Sequence, residues 1–155
     1  MFILLDIDGV MVKAASWKQP EMLNDGFPAF SNVAISSLQK ILSDTGASIV
    51  LTTSHKSLYS LDEWKSIFSK RGIVAEIDKL NENVNGYNRK DEIVNWLNVH
   101  PDLDDFVIID DDKSLNDLSD YYKNQLILTS PMIGLNDKAA CEAVDILMNR
   151  KMERV

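Results

Sequence analysis

The chain has 155 residues and a net charge of −8, because 24 aspartate and glutamate residues outnumber 16 lysine and arginine residues. This length suits a single core, so we expect one domain over residues 1–155. The acidity argues against a broad surface that coats nucleic acid, since neutralising a phosphate backbone takes many cations. No apolar run approaches the roughly 20 residues that cross a bilayer, and we expect no contact with membranes.

Cys141 is the only cysteine, so an internal disulfide is impossible and a reducing cytoplasm is the expected compartment. The alanine-rich helical pattern around Cys141 predicts that its thiol is buried in packing. The first apolar run is interrupted by Asp6 and is too short for the hydrophobic part of a secretory signal.

Short apolar runs alternate with helical patterns along the chain. The predicted strands are Phe2–Leu5, Ser48–Leu51, Ile73–Ile77, Phe106–Ile109 and Leu126–Leu128. The predicted helices are about 31–45, 60–72, 88–100, 115–123 and 137–150. Ser60 and Glu63 match a capping box, and Asn88 is a suitable N-cap. This alternation predicts an α/β fold, a doubly wound, Rossmann-like, five-stranded parallel sheet with helices on both faces.

Acids, hydroxyls and cations gather at the predicted strand ends. An open parallel sheet binds ligands outside the carboxyl ends of its strands, so the residues directly after each strand are candidate site residues. Acids follow the first and fourth strands, hydroxyls follow the second, and two cations begin the helix before the fourth. These residues are Asp6 and Asp8, Asp110 and Asp111, Thr52 and Thr53, and Arg89 and Lys90.

Each of these groups also has a simple structural interpretation. The interpretations are a hairpin turn at Asp8-Gly9, a helix cap at Thr52-Thr53-Ser54, solvated helix surface at Arg89 and Lys90, and an acidic turn at Asp110–Asp112. His55 and His100 have no partner at metal-ligand spacing and are interpreted as non-ligands. The functional interpretation is preferred because it explains four separate placements together.

The residue types at this edge suit phosphoryl transfer. Carboxylates after the first and fourth strands form an all-oxygen ligand set, which Mg²⁺ prefers. A carboxylate can accept a phosphoryl group covalently, and a second acid two residues later can protonate the leaving oxygen and then activate water. A threonine hydroxyl, backbone amides and an arginine or lysine can spread the charge of the phosphoryl oxygens.

These motifs, in this order, resemble those of the haloacid dehalogenase (HAD) phosphatase superfamily. The matching segments are an apolar strand with D-x-D-G-V at Leu4–Val10, a strand ending in Thr at Ile49–Thr52, a cation at Arg89 or Lys90, and a strand ending in paired acids at Val107–Asp111. They span most of the chain. The resemblance implies the strand order 3-2-1-4-5, which places the first and fourth strands side by side.

The resemblance also implies a role for each residue. Asp6 would be the nucleophile and a Mg²⁺ ligand, and Asp8 the general acid and base, with its backbone carbonyl facing the metal. Asp111 would complete the metal site, while Asp110 would ligate the metal or orient its waters or the cationic residue. The phosphate-binding candidates are Gly9, Thr52, Thr53, Arg89 and Lys90. Helical spacing turns Arg89 closer than Lys90 to the apolar face, which favours Arg89 as the principal cation.

Three further segments carry a finer resemblance: Arg89-x-x-Glu92-Ile93-x-x-Trp96-Leu97, Asp110-Asp111-Asp112 and Gly134-Leu135. They are similar to the small HAD domains of Swiss-Army-knife-type RNA repair proteins, which are associated with nucleic-acid end processing. The intervals 10–32 and 78–88 are too short to fold as an inserted cap domain, so we expect a capless, open site. An ordered flap over the site is suggested by Gly26, Pro28, Trp17, Phe27 and Phe30.

The sequence therefore predicts a Mg²⁺-dependent phosphomonoester phosphatase that acts through an aspartyl-phosphate. Its partner would be a phosphorylated small molecule or a nucleic-acid end, and the protein would be a monomer or a weak homodimer. Two alternatives stay open, a non-catalytic binding module with the HAD fold and a phospho-accepting receiver domain. A receiver is disfavoured because its acceptor aspartate follows the third strand and a lysine follows the fifth; here only Asp78 follows the third, and no lysine follows the fifth.

Overall fold

The computed structural model describes residues 1–14, 20–101 and 105–153, and within them five parallel strands form one sheet in the order β3-β2-β1-β4-β5. The strands are β1 Phe2–Leu5, β2 Ser48–Leu51, β3 Ile77–Lys79, β4 Phe106–Asp110 and β5 Leu126–Leu128. The predicted parallel sheet and its strand order are confirmed. The order differs from the 2-1-3-4-5 arrangement of receiver-type sheets, which removes that alternative.

The helices that connect the strands begin at local capping signals. They are α1 Asn32–Thr45, α2 Leu61–Ser69, α3 Arg89–Asn98, α4 Asp120–Lys123 and α5 Asp137–Glu153. Both hydrogen bonds of the capping box at Ser60 and Glu63 are present. The Asn88 side chain accepts from the Asp91 N–H, so α3 begins at Arg89. The caps predicted at Ser60 and Asn88 are confirmed.

Helices cover both faces of the sheet, as predicted. Successive side chains of β1 point to opposite faces. Ile3 and Leu5 belong to the larger core cluster with residues of α1, α2 and α5, whereas Leu4 belongs to the smaller cluster with residues of α3. All three side chains are fully buried. With both faces covered, the loops at the carboxyl ends of the strands are where polar side chains can meet a ligand.

The third strand lies later in the chain than predicted, at Ile77–Lys79 instead of Ile73–Ile77. Ile73 is buried, but its N–H bonds back to the carbonyl of Phe68 at the end of α2. β3 lies at the edge of the sheet beside β2. An edge strand can expose a polar residue such as Asp78, so the apolar run before it was a poor guide to its position.

Two local predictions are also wrong. The helix expected at 115–123 is divided into the 3-10 helix Lys113–Asp117 and α4, because Leu118 between them is extended. Cys141 is exposed, not buried. It follows Ala140 on α5, and its side chain lies away from the buried positions of that helix, which are Ala140, Ala143 and Leu147.

Residues 20–31 form an ordered segment that is fixed to α2 by one arginine. The Arg71 guanidinium donates to both carboxylate oxygens of Asp25 and to two backbone carbonyls of the segment. Phe27 and Phe30 are buried in the larger core cluster. Phe27 and Phe30 of the predicted flap therefore pack inward, and no cap domain is present in the described residues.

The tryptophans that the structure describes are packing residues. Trp64 is fully buried, and Trp96 packs against the ring of Phe2 with the centroids 6.2 Å apart. Trp17 lies outside the described residues. In the part of the chain described, no helix has the length and apolar character needed to span a membrane.

Candidate active site

Asp6 is the first residue after β1, at the centre of the carboxyl edge of the sheet. Its backbone N–H donates to the Ile109 carbonyl of β4 at 3.0 Å, so the loop leaves the sheet with its first residue still paired. Its Oδ1 accepts from the N–H of Ile7 at 2.8 Å. Only 5% of the side chain is exposed. Asp6 is therefore held in a fixed orientation by neighbouring backbone.

Three carboxyl groups meet at this edge. β1 and β4 are neighbours, with Leu5 opposite Ile109, so the acids that end or follow them come together. One carboxylate oxygen each of Asp6, Asp110 and Asp111 lies within 4.8 Å of the other two. We call these residues the carboxylate cluster. Asp8 is not part of the carboxylate cluster, and the expectation that its backbone carbonyl faces a metal stays a prediction.

Arg89 joins the carboxylate cluster from the first position of α3. Its Nη1 lies 2.6 Å from Asp110 Oδ2 and 3.4 Å from Asp6 Oδ2. The Lys90 backbone N–H donates to the Ser114 hydroxyl, and Lys90 forms no ion pair with any described residue. The buried face of α3, which carries Ile93 and Leu97, accounts for this difference, because it turns only the first of the two cations toward the strand ends.

The two threonines after β2 have different neighbours. Thr52 is fully buried and its hydroxyl donates to Asp110 Oδ2 at 3.0 Å, with Arg89 Nη1 at 3.4 Å. The Thr53 hydroxyl instead accepts from the backbone N–H of His55 at 3.2 Å and closes the turn after β2. Thr52 therefore lies within the cluster's hydrogen bonds, whereas Thr53 supports the loop beside it.

Gly9 lets the loop after β1 pass directly against Asp111. Its φ is +79°, and a Cβ built on Gly9 would overlap the Asp111 carboxylate. Only glycine accepts both constraints without strain. The Gly9 N–H already donates to the Val12 carbonyl, so a role for that N–H in phosphate binding would require sharing this bond.

Three ionised carboxyl groups in the carboxylate cluster would carry more negative charge than Arg89 neutralises, so ionisation of its acids is opposed. Burial, together with the charge of Asp110, raises the pKa of Asp6 to about 9. Burial also raises the pKa of Asp111. The pKa of Arg89 is raised by Asp110 and Asp6, although burial opposes that shift. A divalent cation fits this donor set, because it would supply the missing charge to hard oxygen ligands.

A second, buried ion pair lies behind Arg89. Lys56 Nζ is 2.7 Å from Glu92 Oε2, and both side chains are almost inaccessible. Glu92 Oε1 is 3.9 Å from Arg89 Nε, so the glutamate lies between two cations. Arg89 and Glu92 are three residues apart on one helix, so the sequence alone could have indicated the contact between these two side chains.

Asp8 has a partner that the sequence did not reveal. Its Oδ2 lies 2.8 Å from Nε2 of His55, which follows β2. The Asp8 side chain is 59% exposed, unlike those of the carboxylate cluster. The sequence interpretation of His55 as a non-ligand says nothing of this contact. Nothing in residue type or spacing relates two positions that are brought together by the adjacent ends of β1 and β2.

The structure thus brings Asp6, Thr52, Arg89, Asp110 and Asp111 into one largely buried group, with the exposed Asp8 nearby in the same loop as Asp6. A family model described as the HAD domain in Swiss Army Knife RNA repair proteins matches residues 2–140, which include all of these positions. This match supports a phosphatase-type function in general. No curated protein and no solved structure matches the chain. The chain belongs to this family of HAD domains.

Proposed function

We propose that this protein is a Mg²⁺-dependent phosphomonoester phosphatase that acts through an aspartyl-phosphate on Asp6. One observation carries the proposal. A carboxylate oxygen of Asp6 lies within 4.8 Å of one from each of Asp110 and Asp111, and Asp6 Oδ2 is 3.4 Å from Arg89 Nη1. A nucleophile, an oxygen ligand set and a cation for phosphoryl oxygens are therefore adjacent.

Asp6, Asp110 and Asp111 would hold the metal. Asp110 Oδ2 already accepts from Arg89 and Thr52, so Asp110 is well placed to orient Arg89 as well. When bound, Mg²⁺ would supply positive charge that keeps Asp6 ionised and offsets the charge of the phosphoryl oxygens. The raised pKa of Asp6 in the absence of a cation supports this dependence, because a protonated carboxyl group is a poor nucleophile.

In the first step, a carboxylate oxygen of Asp6 attacks the phosphorus and the bond from phosphorus to the leaving oxygen breaks. Asp8, in its protonated form, gives its proton to that oxygen, and an alcohol departs. Arg89 Nη1 is close enough to Asp6 to contact oxygens of a phosphoryl group bound there. The Thr52 hydroxyl lies beside the same guanidinium and provides a second donor.

In the second step, a water molecule attacks the phosphorus of the aspartyl-phosphate. Asp8, now ionised, takes a proton from this water, and the bond between phosphorus and the Asp6 oxygen breaks. Inorganic phosphate leaves, Asp6 is again a carboxylate and Asp8 is again protonated. The exposure of Asp8 supports both of its roles, because it can meet an alcohol in one step and water in the next.

The substrate is proposed to be a phosphorylated small molecule or a nucleic-acid end. The described residues contain no cap domain, so a large substrate can approach the site and a small one receives few contacts from the protein. The family description names RNA repair proteins, which favours the nucleic-acid end. The net charge of −8 limits such binding to a local contact near the terminal phosphate.

A substrate panel tests the proposal. Purified protein is assayed with aryl phosphates, nucleotides, sugar phosphates, and 3′- and 5′-phosphorylated oligonucleotides, with Mg²⁺ and with EDTA. We expect Mg²⁺-dependent release of phosphate that EDTA abolishes and added Mg²⁺ restores. Asp6→Asn should eliminate both turnover and covalent phosphoenzyme. Activity that survives exhaustive chelation would refute the mechanism, and phosphate binding without turnover would identify a binding module instead.

A further inference from the structure

His55 lies outside all four sequence motifs and outside the carboxylate cluster, yet it contacts Asp8. The distance from His55 Nε2 to Asp8 Oδ2 is 2.8 Å. The other carboxylate oxygen of Asp8, Oδ1, has no hydrogen-bond partner among the described residues. One oxygen of this carboxyl group is therefore engaged, and the other is available to exchange a proton.

His55 is held through both its backbone and its ring. Its backbone N–H donates to the Thr53 hydroxyl at 3.2 Å, which fixes the turn after β2. Its ring packs edge-on against Phe27, with the centroids 6.2 Å apart. Phe27 in turn is buried, and its carbonyl accepts from Arg71 at 2.9 Å. These contacts restrict the position from which the ring meets Asp8.

We propose that His55 is a positioning residue that fixes the plane of the Asp8 carboxyl group. This inference rests on the proposed function, in which Asp8 protonates the leaving oxygen. An exposed aspartate side chain otherwise rotates freely about its terminal bond. The bond to His55 holds Oδ2 and presents Oδ1, so the proton donor is oriented before substrate arrives. A contact between exposed polar side chains adds little stability, so replacing His55 should leave the protein folded.

The dependence of kcat/KM on the leaving group tests this role. A purely structural role of His55 would change kcat/KM equally for all leaving groups. An alkoxide is a poor leaving group and needs a proton as its bond to phosphorus breaks. A nitrophenolate is stable as an anion and departs without one. The ratio of kcat/KM for an alkyl phosphate to that for an aryl phosphate therefore reports proton donation by Asp8, because kcat/KM covers the steps up to departure of the leaving group.

The experiment compares wild-type protein with His55→Ala, His55→Gln and His100→Ala. Each is assayed with 4-nitrophenyl phosphate and with an alkyl phosphate monoester in Mg²⁺. We expect His55→Ala to lose about tenfold in kcat/KM with the alkyl substrate and less than about twofold with the aryl substrate. His55→Gln keeps a side-chain N–H within reach of Asp8 and should recover most of the loss.

His100→Ala is the matched control. His100 is an exposed histidine just beyond the end of α3, and it stacks on Trp96 with the centroids 4.1 Å apart. It should leave both rates unchanged. Because each ratio comes from one preparation, any loss of folded protein cancels. If kcat/KM of His55→Ala fell equally with both substrates, or did not fall, the proposed role of His55 would be wrong while the proposed function would stand. Absence of turnover in the wild-type protein would overturn the proposed function and this inference with it.

Discussion

Replacing Gly9 by alanine should weaken Mg²⁺ binding in addition to straining the backbone, and a control at another glycine distinguishes the two effects. Gly9 has a φ of +79°, and a methyl group there would overlap the carboxylate of Asp111. Gly46 has a similar φ of +69° but nothing within 4 Å of a Cβ, and it follows α1 at the opposite edge of the sheet. Gly46→Ala is therefore a control that carries the strain without the collision.

The two variants should lose comparable stability from the backbone. A residue other than glycine in the left-handed region costs about 1–2 kcal/mol, which lowers the Tm of a chain of this size by a few degrees. In Gly9→Ala the Asp111 carboxylate must also move away from the other acids. Since displacing a group that orients or forms a metal site typically costs 10–100-fold in affinity, we expect Mg²⁺ to bind at least about tenfold more weakly.

Calorimetric titration with Mg²⁺, and thermal unfolding with and without Mg²⁺, measure both quantities. Gly46→Ala should unfold at a lower temperature than the wild type but keep wild-type Mg²⁺ affinity and the same rise in Tm when the metal is added. Gly9→Ala should unfold earlier and lose most of that rise. Wild-type Mg²⁺ affinity in a folded Gly9→Ala variant would refute the assignment of Asp111 to the metal site.

Three other predictions follow from the side-chain contacts. Arg89→Ala should lower kcat/KM by on the order of 100-fold, about 2.7 kcal/mol, and Lys90→Ala by less than about tenfold; the reverse order would reassign the phosphate contact. Because the pKa of Asp6 is raised to about 9 without metal, Mg²⁺ binding should release protons and weaken as the pH falls below 9, which titrations in buffers of different ionisation enthalpy detect. The contact with Arg71 lowers the pKa of Asp25 from 3.8 to about 2, so the pair's stabilisation is complete above the ordinary pKa and is lost as the pH falls through 2. Asp25→Asn should therefore cost about 2 kcal/mol in urea unfolding at pH 6 and much less at pH 2, and an equal cost at both would contradict this.

Signals between near neighbours in the chain were sufficient for much of the fold. The capping box at Ser60 and Glu63 and the cap at Asn88 involve residues only three positions apart, so they form wherever the helix forms. β1 and β2 begin and end where predicted, since buried central strands are apolar on both faces. The strand order itself was implied by the family resemblance, not by these patterns.

The acids, Thr52 and Arg89 were also recognisable in the sequence, because chemistry at strand ends restricts residue type. The helical spacing of the apolar residues after Asn88 favoured Arg89 over Lys90, in agreement with where the guanidinium lies. An edge strand is less constrained, since one side has no partner strand. For this reason β3 contains polar residues, and the run of apolar residues did not predict its position.

Contacts between the ends of different elements were decided by the tertiary structure alone. His55 meets Asp8 because β2 lies beside β1, and Lys56 meets Glu92 because the loop after β2 packs near α3. The residue types at these positions are compatible with ordinary solvated surface, so composition and spacing carry no signal for the pairing. The partners of His55 and Lys56 depend on which elements lie beside the end of β2, and this is determined only when the sheet and its helices assemble.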